Sequence, residues 1–146
     1  MATVFAQITG AIVAALAAAP AVSAQIHRSR VRPLSADWTT AVVVTPQSAE
    51  LDRLAIRGAP INLESQIEVV CFARAAPGQS PDVAVDALLS AVYARLVADP
   101  TLGGLALDLA PARISYEFDA EAEQVASVTL ALTVRHQAAA LTLDPP

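Results

Sequence analysis

The sequence predicts an α+β fold, a small mixed, mainly antiparallel sheet packed by two helices, in the order α-β-(loop)-β-α-β-β. One observation is an apolar stripe at helical spacing between Ser80-Pro81 and Pro100; its members are Val85, Leu88, Leu89, Val92 and Leu96. Serine followed by proline is typical of a helix start, and the later proline cannot continue the helix. The other observation is strict alternation from Ser127 to Arg135, where valine or leucine at every second position predicts a strand with one buried face.

Residues 1–20 predict an N-terminal helix, from about Thr3 to Ala19, that belongs to the folded domain. Apolar residues recur there at helical spacing, namely Val4, Ile8, Ile12, Ala15 and Ala19. Two alternatives stay open. Residues 21–25 resemble a signal-peptide cleavage site, although no Lys or Arg precedes the apolar stretch. A membrane span is the other alternative, although the stretch is rich in alanine and Pro20 interrupts it.

A basic segment follows from Ile26 to Arg32, in which arginine alternates with other residues before Pro33. Alternation of period two next to a proline predicts an edge strand or an extended arm. Its arginines, Arg28, Arg30 and Arg32, either form a solvated edge or dock on an acidic partner.

Two strands are predicted next, Trp38–Thr45, which ends at Pro46, and Ile67–Arg74. Residues 46–66 between them exceed what a tight turn needs and keep several apolar side chains, so we expect a protruding loop or hairpin that docks on a partner. Arg53 and Arg57 are its candidate contacts, because arginine binds carboxylates in a bidentate manner. We expect shortening between Ala49 and Leu63 to leave the fold intact.

The last third of the chain predicts a strand, an acidic turn, the alternating strand and a C-terminal tail. The first strand, Arg113–Phe118, has Ile114, Tyr116 and Phe118 on one face. Carboxylates follow in the turn at Asp119, Glu121 and Glu123; they alternate with alanine and lack the oxygen-rich loop of calcium sites, which indicates a solvated turn or a lumen-facing cluster. Residues 138–146 have no pattern typical of a helix or strand.

Composition favours a protein that contacts other proteins. The length of 146 residues suits one domain, 1–146, with 55% hydrophobic residues and 16% charged ones, below the roughly 25% charge of typical soluble domains. This shortage of charge predicts covered surfaces, although an alanine-rich composition alone is an alternative. The net charge of −5 argues against sequence-independent wrapping of nucleic acid. A single cysteine, Cys71, excludes an internal disulfide.

No combination of residues indicates catalysis. His27 and His136 lie far apart in the chain, and neither has a metal-ligand spacing to Cys, Asp or His. The sequence has no glycine-rich phosphate loop and no nucleophile-elbow motif. We therefore expect a protein that is not an enzyme and that holds no metal or cofactor.

The order of these elements resembles the tail terminator (tail completion, head–tail joining) proteins of long-tailed bacteriophages and related phage-derived particles. The stretch that carries most of the resemblance is Val85-Asp86-Ala87-Leu88-Leu89 followed by Leu96-Val97-Ala98-Asp99-Pro100-Thr101-Leu102-Gly103-Gly104-Leu105-Ala106. Ile114–Phe118 and Val128–Val134 follow in the same order, and Glu68–Arg74 precedes them. The resemblance extends over most of the chain as a pattern and brings no invariant functional residues with it.

The resemblance implies a virion structural protein that forms a homohexameric ring, caps the head-proximal end of the tail tube, stops tube polymerisation and joins the tail to the head connector. The implied partners are copies of itself, the tail tube protein, the head–tail connector or stopper protein, and double-stranded DNA that passes through the lumen without specific binding; no membrane is implied. The implied location is the virion tail, and the host cytoplasm during assembly. Two alternatives stay open: a head-completion or connector (neck) ring protein of the same particle, and a secreted small binding module with a cleaved signal.

Overall fold

Two helices and five strands make up the part of the chain that the computed structural model describes, residues 2–29, 35, 37–52, 58–118 and 124–146. Their bounds are α1 Val4–Ala17, β1 Ile26–Arg28, β2 Thr40–Asp52, β3 Ile61–Arg74, α2 Pro81–Val97, β4 Asp108–Phe118 and β5 Val125–Ala138. The strands form one mixed sheet in the order β1-β2-β3-β5-β4, with β1 parallel to β2 and every other pair antiparallel. The predicted α+β class is confirmed.

The centre of the sheet is the pairing of β3 with β5, which runs in unbroken register from Ile61 opposite Ala138 to Arg74 opposite Val125. Side chains on both strands alternate between buried and half-buried along this length. The valine and leucine series of β5 is fully buried, as the alternation predicted; its members are Val128, Leu130, Leu132 and Val134. α2 packs on this apolar face and α1 continues the helix layer over β1 and β2, so the core lies between the helix layer and the sheet.

The N-terminal helix is part of this core. It buries Val4, Ile8 and Ile12 as predicted, but Leu16 is buried at its end, whereas Ala15 is half-buried and Ala19 is exposed. Arg95 of α2 fixes the end of α1, because its guanidinium donates to the carbonyls of Ala15 and Ala18 at 2.8 Å and of Pro20 at 2.6 Å. Within the described residues, neither helix is both long and apolar enough to span a bilayer.

The second helix begins and ends where its sequence predicted. Its buried residues are Val85, Leu88, Leu89, Val92 and Leu96. Ser80 occupies the N-cap position, although its side chain makes no capping hydrogen bond, and Pro81 is the first helical residue. After the helix, the carboxylate of Asp99 accepts hydrogen bonds from Thr101 and from the Gly103 amide. These bonds lower the pKa of Asp99, and the bond from the Thr101 side chain has the largest effect. Gly103 has a φ of 71°, which glycine adopts without strain.

Three strand boundaries differ from the predicted ones. β2 continues past Pro46 to Asp52, because the register shifts between Pro46 and Ser48 and such a bulge tolerates a residue without an N–H. β3 accordingly begins at Ile61 rather than Ile67, and most of residues 46–66 is a β-hairpin. β4 starts at Asp108, ahead of the predicted Arg113, with a similar shift at Pro111.

The longer β3 overturns one expectation about the hairpin. Ile61 is 7% exposed and Leu63 is 3% exposed, and both belong to the hydrophobic core. Shortening the chain between Ala49 and Leu63 would therefore remove core residues. Only residues 53–60, between the end of β2 and Ile61, can be removed without loss of the core.

The C-terminal tail contains neither helix nor strand after Ala138, but it is attached to the start of α1. The Val4 amide donates to the carbonyl of Leu143 at 2.8 Å, and the Ala139 amide donates to that of Asp144 at the same distance. These bonds satisfy one of the free amides at the first turn of α1.

Replacement of Leu132 by alanine should destabilise the fold by about 2–5 kcal/mol, because it removes a fully buried side chain and leaves a cavity. Thr133 is half-buried on the opposite face and donates to the Gln66 side chain at 3.2 Å, so Thr133→Ala should cost far less. Urea denaturation of both variants measures the difference. Equal losses would contradict the register of β5.

Candidate interaction surface

The helix layer is narrower than the sheet on which it packs. α1 packs against β1 and β2, whereas α2 packs mainly against β3 and β5. β4 lies at the sheet edge beyond α2 and has only β5 as a neighbouring strand. Neither helix therefore covers the side of β4 that faces the helix layer.

The uncovered side of β4 is apolar. Ile114, Tyr116 and Phe118 are 45%, 48% and 58% exposed. They pair with the buried residues Leu130, Val128 and Ala126 of β5. Because directly paired residues of antiparallel strands point to the same side of the sheet, all three side chains of β4 lie on the helix side. The Tyr116 and Phe118 rings stack with centroids 6.4 Å apart and planes 13° from parallel. The predicted common face of these residues is present, and it lies in solvent.

Exposed apolar residues also lie on α2. Val83, Tyr93 and Val97 are 56%, 42% and 39% exposed on a flank of α2 distinct from its buried stripe, with Asp86 and Ser90 between Val83 and Tyr93 on that flank. Near the start of the helix this flank meets β4, and the resulting groove is lined by Asp82, Val83, Asp86, Tyr116 and Phe118. We refer to these five residues as the α2–β4 groove.

The structure describes only one of the eight site residues that the sequence predicted. Arg28 lies in β1 at the opposite sheet edge, is exposed, and donates to the carbonyl of Ala6 at 3.0 Å. The remaining seven lie outside the described residues: Arg30, Arg32, Arg53, Arg57, Asp119, Glu121 and Glu123. The groove was not predicted. Its sequence signal is the alternating aromatic strand, because Val83 beside two aspartates forms no periodic pattern.

A Ser–His pair lies inside the core. The Ser65 hydroxyl and Nε2 of His136 are 2.7 Å apart, and the two residues are 5% and 1% exposed. The Phe5 ring meets the imidazole edge-on at 5.5 Å, and Nδ1 has no hydrogen-bond partner in the described part of the chain. Burial lowers the pKa of His136. A nucleophile without access to substrate and a base without an orienting carboxylate give no hydrolytic site, so we assign the pair a structural role.

The cysteine of the chain also lies in the core. Cys71 is fully buried in β3, and burial raises the pKa of its thiol to about 12, so it carries no thiolate near neutral pH. Among the described residues, no group of three or more His, Cys, Asp and Glu side chains is placed to hold a metal ion. The largest unexplained feature is therefore an exposed apolar surface, which is typical of a site for protein contacts.

Comparisons with known proteins give structural matches but no match to a family. No protein-family model matches the chain, and no curated protein matches it. A solved structure described as "Virion of native gene transfer agent (GTA) particle" is similar, with 16% sequence identity, coverage of 92% of each chain and a TM-score of 0.40. A TM-score of 0.40 does not establish a common fold, and the description applies to that structure.

The buried His136 should make stability depend on pH. Burial lowers the pKa of His136 below the ordinary 6.5. As the pH falls through 6.5, the unfolded chain therefore binds more protons than the folded chain, and the free energy of unfolding decreases. In the variant S65A/H136F this contribution, at most about 1.4 kcal/mol per pH unit, should vanish. Urea midpoints at pH 7.5 and 5.5 measure it. The same pH dependence in both proteins would contradict a neutral, buried His136.

Proposed function

We propose that the chain is a virion structural protein that forms a ring, caps the head-proximal end of a phage tail tube, stops tube polymerisation and joins the tail to the head connector. The observation that carries the proposal is the α2–β4 groove, because a subunit whose helix layer leaves an aromatic strand in solvent needs a neighbour to cover it. Its α2 and β4 coincide with the stretches on which the sequence resembles tail terminators.

A closed ring accounts for the distribution of exposed features better than a two-fold dimer does. The apolar groove lies at the β4 edge of the sheet, whereas Arg28 lies at the β1 edge. Different patches at opposite edges make head-to-tail contacts, and such contacts close into rings when the rotation between neighbours permits. The number of six subunits comes from the sequence resemblance.

The β2–β3 hairpin is the proposed contact with the tube. Residues 50–52 of β2 are exposed, and Leu51 presents 50% of its surface. Backbone pairing down to Asp52 and Asn62 supports the hairpin almost to its tip, so it can hold a fixed direction. In this proposal Arg53 and Arg57 bind carboxylates of the tube protein or of the head–tail connector protein.

The acidic segment Asp119, Glu121 and Glu123 takes a second role in the proposed ring. Carboxylates that face the lumen would keep passing double-stranded DNA from adhering, because phosphates and carboxylates repel each other. The segment connects β4 to β5, so its position in the ring follows from that of the β4 edge.

Two other functions fit less well. A head-completion or connector ring of the same particle shares the need for head-to-tail contacts and differs only in the neighbours that the ring touches. A secreted binding module with a cleaved signal would lose α1, whose Val4, Ile8, Ile12 and Leu16 fill the core. Cleavage after Ala24 would also leave Arg95 without the carbonyls that it binds.

Removal of the hairpin tip tests the function. Replacement of residues 53–60 by Thr-Asn-Gly puts the threonine opposite Ile61 and supplies a two-residue turn. Ile61 and Leu63 then keep their register and stay in the core, so the subunit should fold with an unchanged melting temperature. Particles assembled with this variant should carry overlong tails or tails not joined to heads, as measured by electron microscopy.

A second variant separates the charge of the tip from its length. The double substitution R53E/R57E keeps the length of the tip and reverses its charge. If arginines make the contact, this variant should give the same defect as the short tip. Tails of normal length joined to heads with both variants would show that the hairpin does not contact the tube or the connector.

A further inference from the structure

We infer that the α2–β4 groove receives the β1 edge of a second copy of this chain, with Arg28 of that copy placed between Asp82 and Asp86. The inference rests on the proposed ring and names the two surfaces that form each contact. At every contact, the groove of one subunit binds the basic β1 edge of the next.

Charge is the first argument for this occupant. Asp82 and Asp86 are one helical turn apart on α2, both are exposed, and neither has an ion-pair partner within the described residues. They border the apolar floor of Val83, Tyr116 and Phe118. An occupant that carries apolar side chains and a cation fits this combination, because a guanidinium can bind carboxylates while its neighbours cover the aromatic rings.

The β1 edge carries that combination. Its three residues are Ile26, His27 and Arg28. Arg28 is exposed, and its bond to the Ala6 carbonyl at 3.0 Å holds the guanidinium while other N–H donors stay available. The guanidinium lies on the flank of α1, beside the half-buried Ala6 and Gly10, so the cation has small apolar neighbours on the same side of the sheet.

Geometry excludes an intramolecular contact. β1 and β4 are the first and last strands in the order β1-β2-β3-β5-β4, so three strands separate them within one copy. The basic edge of a subunit can reach only the groove of another subunit. Each subunit then offers one groove and one edge, which is the requirement for a head-to-tail ring.

A charge exchange tests the inference. In the full-length chain, the variant D82R/D86R makes the groove basic, and the variant R28E makes the edge acidic. Each variant alone should associate about tenfold or more weakly than the wild type, because like charges then meet at every contact. An equimolar mixture should recover association, since the basic groove of one variant accepts the acidic edge of the other. The chain that combines all three substitutions should recover it as well.

Sedimentation velocity over a concentration series measures association, and circular dichroism melting checks that each variant folds. The matched control is Asp108→Arg, which reverses an exposed carboxylate at the start of β4, far along the strand from Tyr116 and Phe118 of the groove, and should leave association unchanged. Each of three results would overturn the inference: both reversed variants associate as strongly as the wild type does, neither the mixture nor the combined chain restores the lost association, or the wild-type chain itself stays monomeric.

The outcome separates this inference from the proposed function. If the chain forms a ring at the tail end and neither charge reversal weakens its association, the groove assignment is contradicted and the capping function is not. Restored association in the mixture, together with particles in which the chain lies away from the tail end, supports the contact and contradicts the capping function.

Discussion

The pairing of β3 with β5 is the constraint on which the rest of the molecule depends. Its unbroken register from Ile61–Ala138 to Arg74–Val125 brings the apolar series of both strands onto one side of the sheet. A slip of one residue would place the apolar series of one strand on the opposite side of the sheet from that of the other, so burial under the helices fixes the register. β2 and β4 extend this pair on either side, α2 covers its apolar face, and α1 continues the helix layer over β1 and β2.

Two helices are too few to cover five strands, and this shortage leads from the fold to the function. α1 and α2 lie over the first four strands in spatial order, and β4 is left at the edge with its aromatic side chains in solvent. Arg95 holds the two helices together through the carbonyl groups at the end of α1, which limits how far α2 can shift toward β4. The uncovered strand is therefore a fixed feature of the single subunit, and in the proposed ring a neighbouring subunit buries it.

Local patterns in the sequence predicted the fold class, the buried stripe of α2 and the faces of β3 and β5. They did not predict the length of β2, because a proline ends most central strands and the sequence does not reveal the bulge that accommodates Pro46. Leu16 rather than Ala15 was buried in α1 because the larger side chain fills the space that the sheet leaves, which depends on tertiary packing.

The candidate site was harder to predict than the fold. The alternation of Ile114, Tyr116 and Phe118 showed that they share a face, but whether that face is covered depends on where α2 lies across the sheet. Val83 was not predicted as a site residue because a single exposed valine beside two aspartates forms no periodic pattern. The arginines and carboxylates singled out in the sequence, apart from Arg28, lie outside the described residues, and their roles stay predictions.

The central claim is that this chain forms a ring at the head-proximal end of a tail. Electron cryo-microscopy of the assembled particle tests it most directly, because a map of the neck region gives the number of copies, their position and the surfaces in contact. We expect six copies in a closed ring between the tail tube and the head connector, with the β4 edge of each subunit against the β1 edge of the next. A single copy, a two-fold dimer, or a ring located away from that junction would contradict it.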